Sequence, residues 1–273
     1  MNKILILGGS GFIGNKLYRE LNKFYKTFST YNNNTKNKEN SHFYYFRMEE
    51  LNINILLNKI KPNIIISCLR GDFELQVLTH REICNYVKSS NCKIIFLSSS
   101  NVFDTFRHYP SYENDKTFSE SPYGIFKIKI ENLLLKLPTK KFIIARLPMI
   151  WGNNSPRIKE IKRNLINKIP IEVYPNTIIN LNSINKLCQQ ILYLINQNKN
   201  GIYHLGTYDL IYHDDLINKI IKRKFKNKAI FKFVYSSNTE RYIATLPKEN
   251  KLPKHLNISC NQVINSLSIK RSF

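Results

Sequence analysis

The chain has 273 residues, 42% of them hydrophobic, 12% aromatic and 22% charged. That composition supports a large buried core and excludes a wholly disordered chain, while five Cys exclude a disulfide scaffold at this length and no apolar run reaches the roughly 18 residues of a transmembrane helix. Lys and Arg number 42 against 19 Asp and Glu, a net charge of +23, and three readings of it stand: compositional drift, a polyanionic partner, or steering of a phosphorylated substrate by a positive field.

Short apolar runs alternate with longer amphipathic stretches. Ile4–Leu7 reads as a buried strand, Phe12–Leu21 as a helix and Thr27–Thr30 as a second strand. A polar loop, 31–38, leads to a strand-like run at Phe43–Phe46 and a helical one at Leu51–Ile60. Strands follow at Asn63–Ser67, Lys93–Leu97 and Lys141–Ala145, with helices at Phe73–Val87 and from Pro122 to about Leu135. This alternation predicts an α/β fold, a doubly wound parallel sheet of Rossmann type with helices on both faces.

After Trp151-Gly152 the rhythm changes. Helical patterns at Pro156–Leu165, Ile184–Ile195 and His213–Ile221 surround short strands at Ile171–Tyr174, Gly201–Leu205 and Ala229–Val234. The expected division is a dinucleotide-binding domain over 1–150 and a smaller C-terminal α/β substrate-binding part over 151–273, intertwined with the first.

Leu7-Gly8-Gly9-Ser10-Gly11-Phe12-Ile13-Gly14 carries the first chemistry. A buried strand ends, three glycines follow at spacing three, and a helix opens. Gly8 suits a tight turn, Gly11 close approach of a diphosphate, and Gly14 close helix–strand packing. The helix start then offers free N–H groups to phosphates. No Gly-Lys-Ser/Thr follows, so this is not a P-loop. The second strand ends in Ser29-Thr30-Tyr31-Asn32-Asn33, with no acid to hold a ribose 2′-hydroxyl, and Lys36 and Lys38 lie close by. NADP(H) is therefore favoured over NAD(H).

Ser121-Pro122-Tyr123-Gly124-Ile125-Phe126-Lys127 places Tyr123 and Lys127 four apart on one helix face. An ammonium beside a phenol is expected to lower the phenol pKa and prepare it for proton transfer. Upstream, the strand at Lys93–Leu97 ends in Ser98-Ser99-Ser100. A hydroxyl at the carboxyl end of a central parallel strand faces the ligand crevice and can polarise a carbonyl.

These motifs together resemble the extended short-chain dehydrogenases/reductases. Within them, Leu97-Ser98-Ser99-Ser100-Asn101-Val102-Phe103-Asp104, Arg146-Leu147-Pro148-Met149-Ile150-Trp151-Gly152 and Gly201-Ile202-Tyr203-His204-Leu205 are similar to segments of dTDP-4-dehydrorhamnose reductases. The resemblance implies an NAD(P)-dependent oxidoreductase reducing a keto group on a nucleotide-linked deoxysugar. Tyr123 would be the acid, Lys127 its partner and the holder of the nicotinamide ribose, and Ser99 would polarise the carbonyl. Cofactor contacts are implied at Gly8, Gly11, Phe12, Ile13, Gly14, Tyr31, Cys68 and Lys127. Substrate contacts are expected at Arg70, Ser100, Asn101 and Arg157, the last beside Lys159, Lys162 and Arg163.

The chain departs from the family's pattern in three places, one of them Phe73-Glu74-Leu75-Gln76, which replaces an acidic Val-Asp-x-Ala-Glu stretch. Phe46-Arg47-Met48-Glu49 has Arg47 near the place of an adenine-contacting acid, and Ser67-Cys68-Leu69-Arg70-Gly71-Asp72 replaces an Asn-x-Ala-Ala segment. Arg70 can grip a phosphate or carboxylate bidentately, or pair with Asp72 or Glu74. A nucleotide-sugar epimerase or dehydratase on the same scaffold, and a non-catalytic cofactor-binding regulatory subunit, remain as alternatives.

Cys68, Cys84, Cys92, Cys188 and Cys260 form no C-x-x-C pair, and the six His are scattered, so no metal site is expected. Reduced thiols and the absence of a signal-peptide pattern at the start point to a cytoplasmic protein. No RNA-binding aromatic motif or dimeric basic helix stands out, so no specific nucleic acid and no membrane is expected as partner. A homodimer is a further expectation.

Overall fold

The computed structural model describes residues 2–33, 39–105, 108–225, 228–235 and 238–267. The first half runs β1 (Lys3–Leu7), α1 (Phe12–Leu21), β2 (Lys26–Tyr31), β3 (Phe43–Tyr45), α2 (Ile53–Ile60), β4 (Ile64–Ser67), α3 (Phe73–Ser89), β5 (Lys93–Ser99), α4 (Pro122–Leu134) and β6 (Phe142–Leu147). The second runs β7 (Met149–Trp151), α5 (Pro156–Ile166), β8 (Ile171–Val173), β9 (Thr177–Ile179), β10 (Leu181–Ser183), α6 (Ile184–Asn196), β11 (Gly201–His204), β12 (Ile211–Tyr212), α7 (His213–Lys224), β13 (Phe231–Phe233), β14 (Arg241–Ile243) and α8 (Cys260–Asn265).

Seven parallel strands form the central sheet in the order β11-β6-β5-β4-β1-β2-β3. The fold is α/β and doubly wound. Central strands such as Ile64–Ser67 are buried along their whole length, because helices cover both faces. One face packs Leu5, Leu7, Ile65 and Phe96 against α2, α3 and α4. The other packs Ile4, Ile6, Ile66 and Ile95 against α1 and α6. Thus α6 and β11, both beyond residue 150, complete the sheet begun by the first half.

The other C-terminal elements gather round a third core, where Trp151, Leu181, Leu216 and Val263 are fully buried. Their small sheets are β10-β7, β12-β9-β14 and β13-β8. Side-chain caps set the helix starts: Asn52 for α2, Asp72 for α3, Ser121 with Pro122 for α4, Ser155 with Pro156 for α5 and Ser183 for α6. Among the described residues, no helix is long and apolar enough to cross a membrane.

His80 and His213 are among the histidines buried as structural groups. His80 bonds Gln76 O (2.6 Å) and Ser67 Oγ (2.8 Å), and His213 Nδ1 accepts from Tyr174 N (3.3 Å). Burial pushes both pKa values down to about 4. The unfolded chain takes up these protons near 6.5, the folded chain only near 4. Stability should fall as pH drops from about 6.5 to about 4, by on the order of 1–3 kcal/mol per histidine, and be insensitive to these groups above that window. Urea midpoints at about pH 7 and about pH 5 measure this, and a His213→Gln variant should lose part of the dependence.

Candidate active site

The site lies where β1, β4 and β5 end. Gly8 has φ +83°, and a Cβ there would stand 2.6 Å from the carbonyl oxygen of Cys68, at the end of β4. A Cβ on Gly14 would stand 2.4 Å from Gly8 O. So β1, β4 and α1 meet backbone to backbone, and a side chain at either glycine would part them. Gly11 differs: its Cβ would meet only Gly8 O, at 3.2 Å, with open space beyond. Gly8 N donates to Thr30 Oγ1 (2.8 Å) and Gly11 N to Gly8 O (3.1 Å), which closes the turn. The helix cap position, Gly11, supplies no side-chain bond, and no acid stands in the first turn of α1. Free N–H groups at the helix start therefore face the open side of Gly11.

The neighbouring residues line the same edge. The Phe12 ring packs where a Cβ on Gly152 would come within 3.0 Å, and Phe12, Ile13, Tyr31 and Cys68 rest against the α1–α6 core. Tyr31 stands edge-on to Tyr45, with ring centroids 5.9 Å apart. Next to it, Asn32 Oδ1 is buried without a hydrogen-bond partner. Arg47 is engaged locally with Glu50 (2.8 Å) and Glu49 (3.6 Å). Lys36 and Lys38 lie outside the described residues.

The second half of the site is built by β5 and α4. Ser99 ends β5 and caps a 3₁₀ turn over Ser100–Phe103, accepting from Asn101 N (3.2 Å) and donating to Asn101 Oδ1 (3.0 Å). Ser98 instead turns beneath the site to Glu131, and Ser100 is buried. Of the three serines, Ser99 is the one that meets Tyr123. Gly124 makes this possible: a Cβ there would stand 2.4 Å from Asn101 O, so α4 sits directly on the turn. Asp104 braces the start of α4 through Ser119 Oγ (2.7 Å), Glu120 N (2.9 Å) and Ser121 Oγ.

Lys127 is buried, 6% exposed, while Tyr123 is 41% exposed. Lys127 Nζ donates to Leu97 O (2.9 Å) and lies over the rings of Phe96 (4.5 Å), Phe126 (5.0 Å) and Tyr123 (5.8 Å). Burial lowers its pKa to about 8, partly opposed by the Glu131 carboxylate and reinforced by Arg70. The expectation for Tyr123 is corrected here. Its pKa is raised, chiefly by burial, and the groups that oppose the rise are Ser99 and Arg70 rather than Lys127. The ammonium points at a strand carbonyl, so the four-residue spacing brings the two residues together without aiming the charge at the phenol.

Arg70 is exposed on the loop after β4, and its charge is felt by Tyr123, Lys127 and Cys68. The ion pair weighed for it is not formed. Asp72 caps α3 at Leu75 N (2.9 Å), and Glu74 pairs with Lys129 (2.7 Å). The loop is held by buried Gln76, whose Nε2 donates to Gly71 O (3.0 Å). Arg157 has different company: the charged and polar groups it feels or affects are Glu160, Tyr174 and His213, in the C-terminal part.

Sequence reasoning missed Gly124, Glu131 and the use made of Arg146. Arg146 Nη2 and Glu131 Oε2 form a buried ion pair (2.9 Å) directly under the site. The available signal was the position of Glu131, four residues after Lys127 on the same helix face.

This arrangement, a bare glycine turn and helix start beside a Ser–Tyr–Lys group on a doubly wound sheet, defines a nucleotide-binding protein of the short-chain dehydrogenase/reductase type. The chain belongs to the NAD dependent epimerase/dehydratase family, whose model matches residues 4–222. Comparison with curated protein sequences gives no match. Among solved structures, the chain is similar to a dTDP-4-dehydrorhamnose reductase from Yersinia enterocolitica, with TM-score 0.78, 19% identity, and 98% of this chain and 100% of that chain covered. It is also similar to the Bacillus anthracis reductase of the same name in complex with NADP (TM-score 0.77, 18% identity, 97% of each chain). A dTDP-glucose 4,6-dehydratase from Bacillus anthracis in complex with NAD gives TM-score 0.75 at 14% identity, over 98% of this chain and 95% of that one. At these identities the likeness establishes the fold.

The glycine geometry gives a test. Gly14→Ala forces backbone atoms of Gly8 and Gly9 aside and should lower the melting temperature by several degrees, a cost of roughly 1–3 kcal/mol. Gly11→Ala meets one atom, Gly8 O at 3.2 Å, and should lose less stability than Gly14→Ala; thermal melts of the two variants check the contrast.

Proposed function

We propose that the protein is an NAD(P)H-dependent reductase of a keto group on a nucleotide-linked deoxysugar. The observation that carries this reading is the juxtaposition of Ser99, Tyr123 and Lys127 at the carboxyl edge of the sheet, beside a glycine turn open to a diphosphate. The family to which the chain belongs and the reductases of similar fold support it.

The residues present fit a dinucleotide. The open face of Gly11 and the free N–H groups of α1 suit its diphosphate. The partnerless Asn32 Oδ1 beside Tyr31 suits an adenosine ribose hydroxyl. With no acid at the end of β2, a 2′-phosphate is accommodated, and NADP(H) is the favoured form. Gly8, Phe12, Ile13, Gly14 and Cys68 would shape the cleft for it, and Lys127 would hold the nicotinamide ribose. When bound, the nicotinamide supplies the two electrons of the reduction.

The chain's own residues do the rest. Ser99, on releasing Asn101 Oδ1, donates its one hydroxyl hydrogen bond to the substrate carbonyl and polarises it. Tyr123, protonated through the neutral range as any phenol is, gives its proton to the emerging alkoxide. Lys127, whose Nζ donates to Leu97 O and lies 5.8 Å from the Tyr123 ring centroid, keeps a cation near the phenol as negative charge develops on it. Arg70, with no carboxylate of its own, Ser100 and Asn101 face the sugar, and Arg157 meets the nucleotide from the C-terminal part.

An epimerase or dehydratase would keep its dinucleotide through the cycle, and a dehydratase would also want an acid beside the serines. The nearest acid in sequence, Asp104, is consumed in bracing α4. Protein purified with stoichiometric bound NAD would favour those readings. Protein that oxidised no NADPH but held a partner enzyme would favour the regulatory one.

Tyr123→Phe should lower turnover by about 10²–10⁴-fold and leave NADPH affinity nearly unchanged. NADPH oxidation across a panel of nucleotide ketosugars, together with a fluorescence titration of NADPH, checks both halves. Near-normal turnover would remove Tyr123 from the acid role. For pH, Lys127 is charged below its pKa of about 8, so turnover should hold through neutral pH and fall as pH rises through that value. A turnover–pH profile checks the sign.

A further inference from the structure

We propose that Glu131 and Arg146 are positioning residues for the Ser99–Tyr123–Lys127 group: their buried ion pair fixes the seat of α4 on β5, and its carboxylate end, one turn along α4 from Lys127, favours the ammonium. This rests on the reading of that group as catalytic.

The first part is geometric. Lys127 and Glu131 stand one turn apart on α4 and grip consecutive residues of β5. Lys127 Nζ donates to Leu97 O (2.9 Å), and Glu131 Oε1 accepts from Ser98 Oγ. The next residue of β5 is Ser99, so these two bonds set the height of Tyr123 against Ser99. Arg146, on β6 and paired in register with Ser98, closes the arrangement. It reaches Glu131 through Nη2 (2.9 Å) and Nε (3.2 Å), Glu113 O through Nη1 (3.0 Å), and lies 4.8 Å over the ring of Phe103 in the turn that follows Ser99. Each backbone element that carries a reacting group is tied to this one pair, whose side chains are 3% and 1% exposed.

The second part is charge. The groups facing Lys127 are Cys68 and Arg70 from the loop after β4, His80 from α3, and Tyr123 and Glu131 from its own helix. His80 is neutral at physiological pH and Arg70 opposes a second cation. Among these groups Glu131 is the only carboxylate. A well-packed apolar pair would hold a helix in place equally well; it would not support an ammonium one turn away.

The test is Glu131→Gln, with Glu131→Asp as the conservative control. Lysine labelled with ¹³C at Cε lets the Lys127 titration be followed by NMR in the whole protein, independently of any substrate. In Glu131→Gln, Lys127 should titrate below its value of about 8, and the alkaline limb of kcat should move to lower pH with it. At the pH optimum kcat should fall by about 10²-fold, the scale of a small misplacement of reacting groups, with KM and NADPH affinity changed little. Glu131→Asp should restore the titration.

If Glu131→Gln does not fold, Glu131→Met combined with Arg146→Met leaves no buried unpaired charge and carries the same two readouts. A folded variant with the parent Lys127 titration overturns the proposal even where kcat drops, because the pair is then only a clamp. A shifted titration with parent kcat overturns it as well. If the parent protein reduces no ketosugar, the proposed activity fails, and the NMR titration still decides whether Glu131 supports the ammonium.

Discussion

The site is governed by the cost of burying one lysine. Removing an ammonium from water is expensive unless other dipoles replace the solvent. Lys127 has no carboxylate in contact. It has one strand carbonyl, Leu97 O, and the faces of Phe96, Phe126 and Tyr123. These do not fully replace water, and its pKa falls to about 8. Much of the surrounding structure follows from keeping that cation in place. Phe73 stacks on Phe126 at 4.2 Å and stiffens one wall, and His80 sits edge-on to Phe96 at 5.1 Å behind another. His80 itself stays neutral, bonded to Ser67 and Gln76, so it adds no second charge to the cluster.

The glycine turn and the lysine share a wall. The end of β4 abuts Gly8 through Cys68 O, while the Cys68 thiol lies within the electrostatic reach of Lys127 and Arg70. Burial pushes that thiol up to about 12, so it is a small neutral filler at this place rather than a nucleophile. One loop, 68–72, thus lies between the glycine turn and the Ser99–Tyr123–Lys127 group. Its shape is fixed by the positive φ of Gly71 and by the buried amide of Gln76. A shift of this loop would disturb both halves of the cleft together.

Much of this was legible in the sequence, and what was not has physical reasons. The α/β alternation and helix α1 are written in apolar periodicity, and Gly8, Gly11 and Gly14 in spacing alone. The strands β7, β9, β10, β12 and β14 were not read. They are two or three residues long and pair with distant segments, so they carry no periodic signal. The sequence also leaves open which of three serines meets the phenol. That depends on Ser98 being drawn down to Glu131, and a lone Glu on a helix reads as a solvent-facing residue until a buried Arg is found opposite it. The tyrosine pKa failed for a related cause. Spacing puts Lys127 near Tyr123, but the direction of the ammonium is set by β5, which the local sequence of α4 does not encode.

Charge links the site to the whole chain. The net +23 is spread along the sequence, and a diffuse positive field of that size raises the encounter rate of any anionic ligand without choosing among them. Discrimination must then come from groups whose charge is left uncompensated inside the cleft. Arg70 is such a group, because its two acidic neighbours in sequence are committed elsewhere, Asp72 to the cap of α3 and Glu74 to Lys129. Arg146, by contrast, is fully matched and buried, so it addresses the protein rather than the ligand. The two arginines differ in the way a basic composition leaves ambiguous: one is matched within the frame that carries Ser99, Tyr123 and Lys127, and the other stays exposed on the loop after β4 with no acid of its own loop paired to it.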